Sequence, residues 1–233
     1  MLFIHIKGQT NINMPKLQRT AEEIEAAKTE ILEEAVKLMG EIGYHNFTMR
    51  KLAAKLSITA TTIYNYYKNK DDLFINLLIR GFAELYRRLE KANRNQATPA
   101  EQLRAMIHGY IDFGLNNANF YNLMYSWHVP KFKDYLGTSM EAVARLQLEG
   151  ALKIPEIFFS TIKAYARSLD TAIADEEAVF LMVHYWSQIH GFVAGCNNTI
   201  LYYLHENPVS LKEKHIDGIA EKFRKEILGL AQK

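Results

Sequence analysis

The sequence is poor in cysteine and in long apolar runs. Cys196 is the only cysteine among 233 residues, so no internal disulfide can form. A lone thiol is typical of a reducing compartment, and we expect a cytoplasmic location. No run approaches eighteen consecutive apolar residues, which argues against a membrane span. Residues 1–6 are apolar except for His5, but this stretch is too short for a signal peptide and no basic residue precedes it.

Motifs for catalysis and for metal or cofactor binding are also missing. The sequence has no nucleophile motif, no glycine-rich phosphate loop after a strand and no paired metal ligands. His184 and His190 are six positions apart, a poor spacing for a shared metal on one helix face. The sequence therefore predicts a protein that is not an enzyme and needs no cofactor or metal. An enzyme acting on small apolar molecules remains the alternative.

Acidic residues are absent from one window of the chain, residues 44–70. Five basic residues lie within that window: Arg50, Lys51, Lys55, Lys68 and Lys70. The preceding stretch, residues 22–41, carries seven glutamates. A local basic field of this kind attracts a polyanion, although the net charge is only +2 and charge alone leaves a chance fluctuation open.

Apolar residues recur at three- and four-residue spacing along most of the chain, and no convincing run alternates with period two. The predicted helices cover about 20–42, 48–56, 59–67, 71–93, 99–116, 118–127, 134–151, 156–172, 175–204 and 210–230. Capping boxes begin three of them, at Thr20, Thr98 and Ser210. The prediction is an all-α protein with a three-helix head and a larger helical body.

We divide the chain into three parts. Residues 1–19 contain Pro15 and no helical stripe, and we interpret them as a flexible arm. Within this arm, Met14 is an alternative translation start. Residues 20–70 form the predicted head, and residues 71–233 form the body, with residues 71–93 as a connecting helix.

The head contains the spacing of a helix-turn-helix between Thr48 and Tyr67. A small residue must lie where two steeply crossing helices meet, and Ala53 fills that position. The residues expected to bury the apolar surface of the pair are Leu52, Leu56, Ile58 and Ile63. The second helix directs Thr61, Thr62, Asn65 and Tyr66 outward. A simple packing hairpin explains the apolar residues but not this polar, acid-free face.

This segment resembles the TetR family of bacterial regulators over residues 20–75. The shared pattern is Thr48-x-Arg50-x-Leu52-Ala53-x-x-Leu56-x-Ile58-x-x-x-x-Ile63-Tyr64-x-Tyr66-Tyr67-x-x-Lys70-x-x-Leu73, after Gly43-Tyr44-x-x-Phe47. Ser57 and Tyr67 depart from it, because glycine or alanine and phenylalanine are usual there. The resemblance implies DNA contacts from Thr48, Arg50, Ala60, Thr61, Thr62, Tyr64, Asn65, Tyr66 and Lys70. Among these, Thr48, Arg50 and Lys70 match positions that contact phosphates.

The body is rich in aromatic residues and methionine, which suits a cavity for a small apolar or aromatic effector. The candidate pocket residues are Met106, Tyr110, Phe113, Tyr121, Met124, Tyr125, Trp127, His128, Phe159 and Trp186. An ordinary helical core is the alternative for each of them. Trp186 with His190-Gly191 also resembles a subset of the family's C-terminal domains.

The resemblance further implies a homodimer whose interface comes from the last two long helices. The residues expected at this interface are His190, Ile216, Ile219, Phe223 and Ile227. Paired heads then read a near-palindromic, double-stranded operator. The sequence thus predicts a sequence-specific transcription regulator released from DNA by its effector, and the resemblance favours a repressor. A protein that coats DNA without an effector is a further alternative.

Overall fold

The computed structural model describes residues 20–230, and these are helical with no strand among them, which confirms the all-α prediction. The α-helices are α1 (Ala21–Ile42), α2 (Met49–Lys55), α3 (Ala60–Tyr64), α4 (Lys70–Arg94), α5 (Pro99–Asn116), α6 (Ala118–Tyr121), α7 (Glu141–Ser168), α8 (Asp175–Asn197) and α9 (Lys212–Leu230). A π-helical turn, Asn122–Ser126, continues α6, and 3-10 turns cover Phe132–Tyr135, Ile200–Tyr203 and Pro208–Leu211. The predicted flexible arm lies outside the described residues.

Two of the three predicted capping boxes are confirmed. The Thr20 hydroxyl accepts a hydrogen bond from the Glu23 backbone N–H at 3.2 Å, and the Glu23 carboxylate accepts one from the Thr20 N–H at 2.8 Å. Thr98 and Glu101 cap α5 in the same way. The third box is wrong, because α9 begins at Lys212 and the Ser210 hydroxyl donates to the carbonyl of Asn207.

Helix α7 replaces two predicted helices. The break expected before Pro155 does not occur, and one helix of 28 residues runs through this position. Proline has no N–H, so the carbonyl of Ala151 lacks the partner that an ordinary helix supplies from residue 155. In contrast, the helix predicted for residues 175–204 ends early. Its end at Asn197 is followed by Thr199 in a left-handed conformation, with φ at 65°.

One apolar core runs through the head and the body. The long helix α4 packs on α1 in the head and on α5 and α7 in the body. Helices α5 and α8 meet at Gly114, where an added Cβ would lie 2.5 Å from Cγ1 of Val193. Helix α4 is therefore the element that physically joins the head to the interior of the body. Within residues 20–230, no helix has both the length and the apolar character needed to cross a membrane.

Candidate nucleic-acid interface and apolar cavity

Helices α2 and α3 form the helix-turn-helix, and a threonine caps each of them. The Thr48 hydroxyl accepts from the Lys51 N–H, and the Thr59 hydroxyl accepts from the Thr62 N–H. Thr59 lies on the exposed surface of the turn. The turn contains Ser57 at φ 55°, a left-handed conformation that explains why glycine is usual at this position.

The core of the helix-turn-helix agrees with the sequence except at one residue. Leu52, Ala53 and Ile63 are buried, and Leu56 is half-buried. The expectation that Ile58 is buried is wrong, because this side chain in the turn is 36% exposed. The backbone N–H of Ile58 nevertheless bonds the carbonyl of Ala53 at 3.0 Å, which holds the turn closed.

The structure brings the nine predicted DNA-contact residues onto two helices and the flanking ends. Five of them are exposed: Thr48, Arg50, Thr61, Tyr64 and Asn65. Four are half-buried: Ala60, Thr62, Tyr66 and Lys70. The outward face of α3 thus presents a hydroxyl, a phenol and an amide side by side, from Thr61, Tyr64 and Asn65.

Lys70 connects the start of α4 to the loop before α2. Its ammonium donates to the carbonyl of Tyr44 at 2.7 Å and lies 4.0 Å from the centre of the Tyr44 ring. Burial lowers the pKa of Lys70 below its ordinary value. A lysine has three N–H donors, so the contact with Tyr44 leaves donors for a second acceptor.

The basic window that is acid-free in sequence is not acid-free in space. Helix α1 places two glutamates next to Lys55, whose ammonium lies 2.5 Å from Oε1 of Glu41 and 3.5 Å from Oε1 of Glu34. The hydrogen bond to the Glu41 carboxylate raises the pKa of Lys55. Arg50 forms no ion pair with any residue in the described range. The positive charge available to a ligand is therefore smaller than the sequence predicts, and Arg50 carries a larger share of it.

A cavity of about 300 Å³ lies in the body among α4, α5, the π-helical turn, α7, α8 and α9. Its lining is aliphatic or aromatic throughout and consists of Phe82, Leu103, Ile107, Tyr110, Tyr125, Ala151, Leu152, Ile154, Pro155, Phe158, Ile162, Met182, Val183, Tyr185, Trp186, Ile189 and Phe223. Leu152 on α7 and Val183 on α8 are also largely exposed, so the mouth of the cavity opens between these two helices.

Three of the ten predicted pocket residues line this cavity: Tyr110, Tyr125 and Trp186. The other seven do not line it: Met106, Phe113, Tyr121, Met124, Trp127, His128 and Phe159. Met106 is buried under Thr161, and Met124 packs where Gly81 leaves space. Phe113 faces a separate crevice beside α4, and His128 is exposed. Sequence composition identified the right helices, but it could not tell which helix face meets the cavity.

Behind the cavity lies a network of neutral polar groups. The Trp186 indole N–H donates to the Tyr110 hydroxyl at 2.9 Å, and the Tyr121 hydroxyl lies 2.7 Å from Nδ1 of His190. Burial raises the pKa of Tyr110 and Tyr125 well above the ordinary value and lowers the pKa of His190. These groups are therefore uncharged at neutral pH.

The stripe on α9 that was predicted to face a partner subunit packs inside its own chain. Ile216, Ile219, Phe223 and Ile227 are all buried, and the Phe223 ring stacks on Tyr165 with centroids 6.0 Å apart. The prediction for these residues is wrong, because a three-four stripe looks the same whether it packs within or between chains. His190 is half-buried, stacks on Trp186 and bonds Tyr121. Its place at an interface stays a prediction.

Two family models match the chain. Residues 31–77 match bacterial regulatory proteins of the tetR family, and residues 103–195 match the tetracyclin repressor-like C-terminal domain. The fatty acid metabolism regulator protein of Bacillus subtilis is 33% identical over 78 residues, 34% of this chain and 40% of that protein. An uncharacterized HTH-type transcriptional regulator of Haemophilus influenzae is 34% identical over 113 residues, 46% of this chain and 60% of that protein. The match thus spans less than two thirds of either relative.

Solved structures share the whole fold at low identity. The transcriptional regulator FadR from Bacillus subtilis, determined in complex with stearoyl-CoA, has a TM-score of 0.63 and 19% identity over 82% of this chain and 97% of that one. At this identity the likeness shows the fold alone. The two domain models, however, name regulators rather than enzymes, and they match the head and the body separately. The chain belongs to the TetR family of bacterial regulatory proteins.

Proposed function

We propose that the protein is a sequence-specific DNA-binding repressor of transcription that is released from its operator by a small apolar effector. The observation that carries this proposal is the outward face of α3, where Thr61, Tyr64 and Asn65 are exposed at the end of a helix-turn-helix. A helix fits the major groove of B-DNA, and short polar side chains there reach the base edges. Asn65 in particular carries the amide that pairs with adenine.

Residues on either side of the outward face of α3 supply the contacts with DNA phosphates. Arg50 in the first turn of α2 and Lys70 in the first turn of α4 supply positive charge on either side of α3. The backbone N–H groups at the start of α2 add a favourable helix dipole. Such contacts fix the register of the protein on the duplex, and the contacts from α3 then distinguish sequences.

We propose that the chain dimerises through the outer face of α8 and the turn that follows it. Phe180 on α8 is 54% exposed, and Tyr203 and Leu204 in the turn are 85% and 81% exposed. Gly191 on α8 and Gly218 on α9 line an adjoining groove, and a Cβ at either would meet nothing within 4 Å. Exposed apolar patches next to such openings suit close packing of a second helix pair. A two-fold dimer presents two heads to two half-sites about 34–36 Å apart.

The apolar cavity is the proposed effector site. The Bacillus subtilis regulator of the same fold holds stearoyl-CoA, which supports a ligand with a hydrocarbon part. Phe82 connects the cavity to α4, which begins at Lys70. A second connection follows the π-helical turn that carries Tyr125, because the segment after it places Sδ of Met140 4.0 Å from the side-chain nitrogen of Asn69. A coupling of about 1–3 kcal/mol corresponds to a 5- to 150-fold loss of operator affinity.

The experiment is selection of duplexes from a random pool with the purified protein, followed by fluorescence anisotropy on the enriched sequence. We expect a near-palindrome, and we expect Asn65→Ala to weaken the preference for one base pair of each half-site by about 1–3 kcal/mol. Asn95→Ala, an exposed asparagine at the far end of α4, is the matched control and leaves the preference unchanged. Equal affinity for all duplexes contradicts an operator reader.

Repression and release are tested on the selected sequence. Placed across a promoter, it should lower transcription in vitro when the protein is added, and apolar compounds that bind the cavity should restore it. An increase of transcription on adding the protein contradicts repression. If no compound changes the affinity of the protein for DNA, the protein is a constitutive DNA binder.

A further inference from the structure

The lining of the cavity contains no group that can neutralise a charged ligand. In the described part of the chain, its only side-chain polar groups are the indole N–H of Trp186 and the hydroxyls of Tyr110, Tyr125 and Tyr185. The Trp186 N–H is already bonded to Tyr110, and the Tyr185 hydroxyl donates to the Glu226 carboxylate at 2.6 Å. A buried carboxylate or phosphate would thus meet no cation in the lining and would lie near the negative charge of Glu226. Burying an unpaired charge is strongly unfavourable.

The backbone of α7 supplies a different polar group at this cavity. Pro155 lies inside the helix and has no N–H, so the carbonyl of Ala151 has no backbone partner one turn ahead. No side chain of the described residues donates a hydrogen bond to this carbonyl. A helix directs the carbonyl of residue 151 toward residue 155. Because Ala151 and Pro155 both line the cavity, the released carbonyl is directed along the part of α7 that borders the cavity. A carbonyl of this kind accepts a hydrogen bond and cannot donate one.

The position of this acceptor sets the orientation of a ligand. Leu152, the next residue, is at the exposed mouth of the cavity, whereas Phe82 and Tyr110 in the same lining are buried. A ligand that donates to Ala151 therefore keeps its polar end near the mouth and directs its hydrocarbon part inward. The volume of about 300 Å³ equals roughly ten molecules of liquid water, or a chain of about ten heavy atoms.

We propose that the cavity selects an uncharged, chain-like hydrocarbon with one hydroxyl, and that this hydroxyl donates its hydrogen bond to the backbone carbonyl of Ala151. The proposal rests on the effector site assigned above and names the chemistry of its ligand. Pro155 is then a specificity residue, because it has no backbone N–H and so leaves the carbonyl of Ala151 available to the ligand. It does not contact the hydroxyl itself.

The experiment measures the binding of three probes of equal chain length to the full-length protein by quenching of tryptophan fluorescence, to which Trp186 in the cavity and Trp127 outside its lining both contribute, with calorimetry as a second readout. The probes are 1-decanol, its methyl ether and decanoate at pH 8. We expect 1-decanol to bind 3- to 10-fold more tightly than the ether, which cannot donate. Decanoate should bind at least 10-fold more weakly than the alcohol.

Pro155→Ala tests the acceptor directly, because the new N–H at position 155 bonds the Ala151 carbonyl and also stabilises the helix. In the variant, the 3- to 10-fold preference for the alcohol over the ether should disappear, whatever the change in lining does to the affinity for both probes. Pro99→Ala, in the first turn of α5, is the matched control and should keep the preference. A preference that survives in Pro155→Ala overturns the assignment of the acceptor. Decanoate that binds as tightly as 1-decanol overturns the selection for an uncharged ligand.

Binding of 1-decanol and recognition of the operator can fail independently of each other. Binding of 1-decanol is measured without DNA, so a protein that shows the expected preference but reads no operator supports this inference and contradicts the repressor. Conversely, release of the operator by a charged compound, with no binding of 1-decanol, contradicts this inference and leaves the repressor intact.

Discussion

Arg50 and Lys55 lie five residues apart in the same basic window, yet the structure predicts that only the replacement of Arg50 by alanine weakens DNA binding. Arg50 is exposed and has no ion-pair partner among residues 20–230, whereas Lys55 is held by Glu41 and Glu34 of α1. If the protein binds an operator as proposed, Arg50→Ala removes one phosphate contact per head and Lys55→Ala removes none. The two variants lose the same formal charge, so a difference between them reports position and not net charge.

The magnitude follows from counterion release. Each phosphate contact contributes about 0.9 to the slope of log affinity against log salt, so two heads give about 1.8. Between 50 and 200 mM salt, a slope of about 1.8 corresponds to a loss of affinity of about 12-fold. The wild type should therefore lose about 12-fold more affinity over this range than Arg50→Ala.

Anisotropy titrations across that salt range, on the selected operator and on random duplex, measure both slopes. Lys55→Ala should keep the wild-type slope. A Lys55→Ala variant with a slope as flat as that of Arg50→Ala, or an unchanged slope in Arg50→Ala, would refute the reasoning.

Three further predictions concern the turn, the dimer and the buried histidine. Ser57→Gly should raise the free energy of unfolding by about 0.5–1 kcal/mol in urea titrations, because Ser57 has φ 55°; a decrease would contradict strain at this turn. Leu204→Asp should give monomers in light scattering, whereas Leu146→Asp, at a residue 63% exposed on α7, should leave dimers; a dimeric Leu204→Asp moves the interface elsewhere. Burial lowers the pKa of His190, so the unfolded chain binds its proton first and stability falls as the pH drops below about 6.5. Between pH 7.5 and 5.5, the melting temperature of His190→Gln should therefore fall less than that of the wild type. An equal fall in both proteins would contradict a buried neutral imidazole.

Local signals in the sequence predicted the helix-turn-helix well. The capping threonines Thr48 and Thr59, the small Ala53 and the buried Ile63 each act over a few residues, so their pattern is visible in a short segment. The same holds for the start of α5, where Thr98 and Glu101 satisfy each other's backbone groups. These features depend on neighbours in sequence, and the structure confirms them.

Contacts between distant segments could not be predicted in this way. Lys55 meets Glu41 across two helices, and Phe223 meets Tyr165 across 58 positions, so neither partner is visible in a local window. The spacing of the stripe on α9 indicates an apolar helix face, but periodicity does not say which chain covers that face. Pro155 shows the same limit. Proline predicts a helix end, whereas packing of α7 against α4 and α5 keeps one helix through this position.

If an effector in the cavity releases the operator, the length of α4 determines how far the effector must move this helix. Phe82 at the cavity lies 12 residues from Arg94 at one end of the helix, or about 18 Å, and Lys70 at the other end lies 24 residues from it, or about 36 Å. A helix that tilts about its Arg94 end thus doubles the displacement, so about 1 Å at Phe82 becomes about 2 Å at Lys70. Two heads moving apart change the half-site separation by about 4 Å, against about 34 Å for one turn of DNA. Such a mismatch strains the phosphate contacts on both half-sites at once, and a ligand that binds the tilted arrangement better therefore lowers operator affinity.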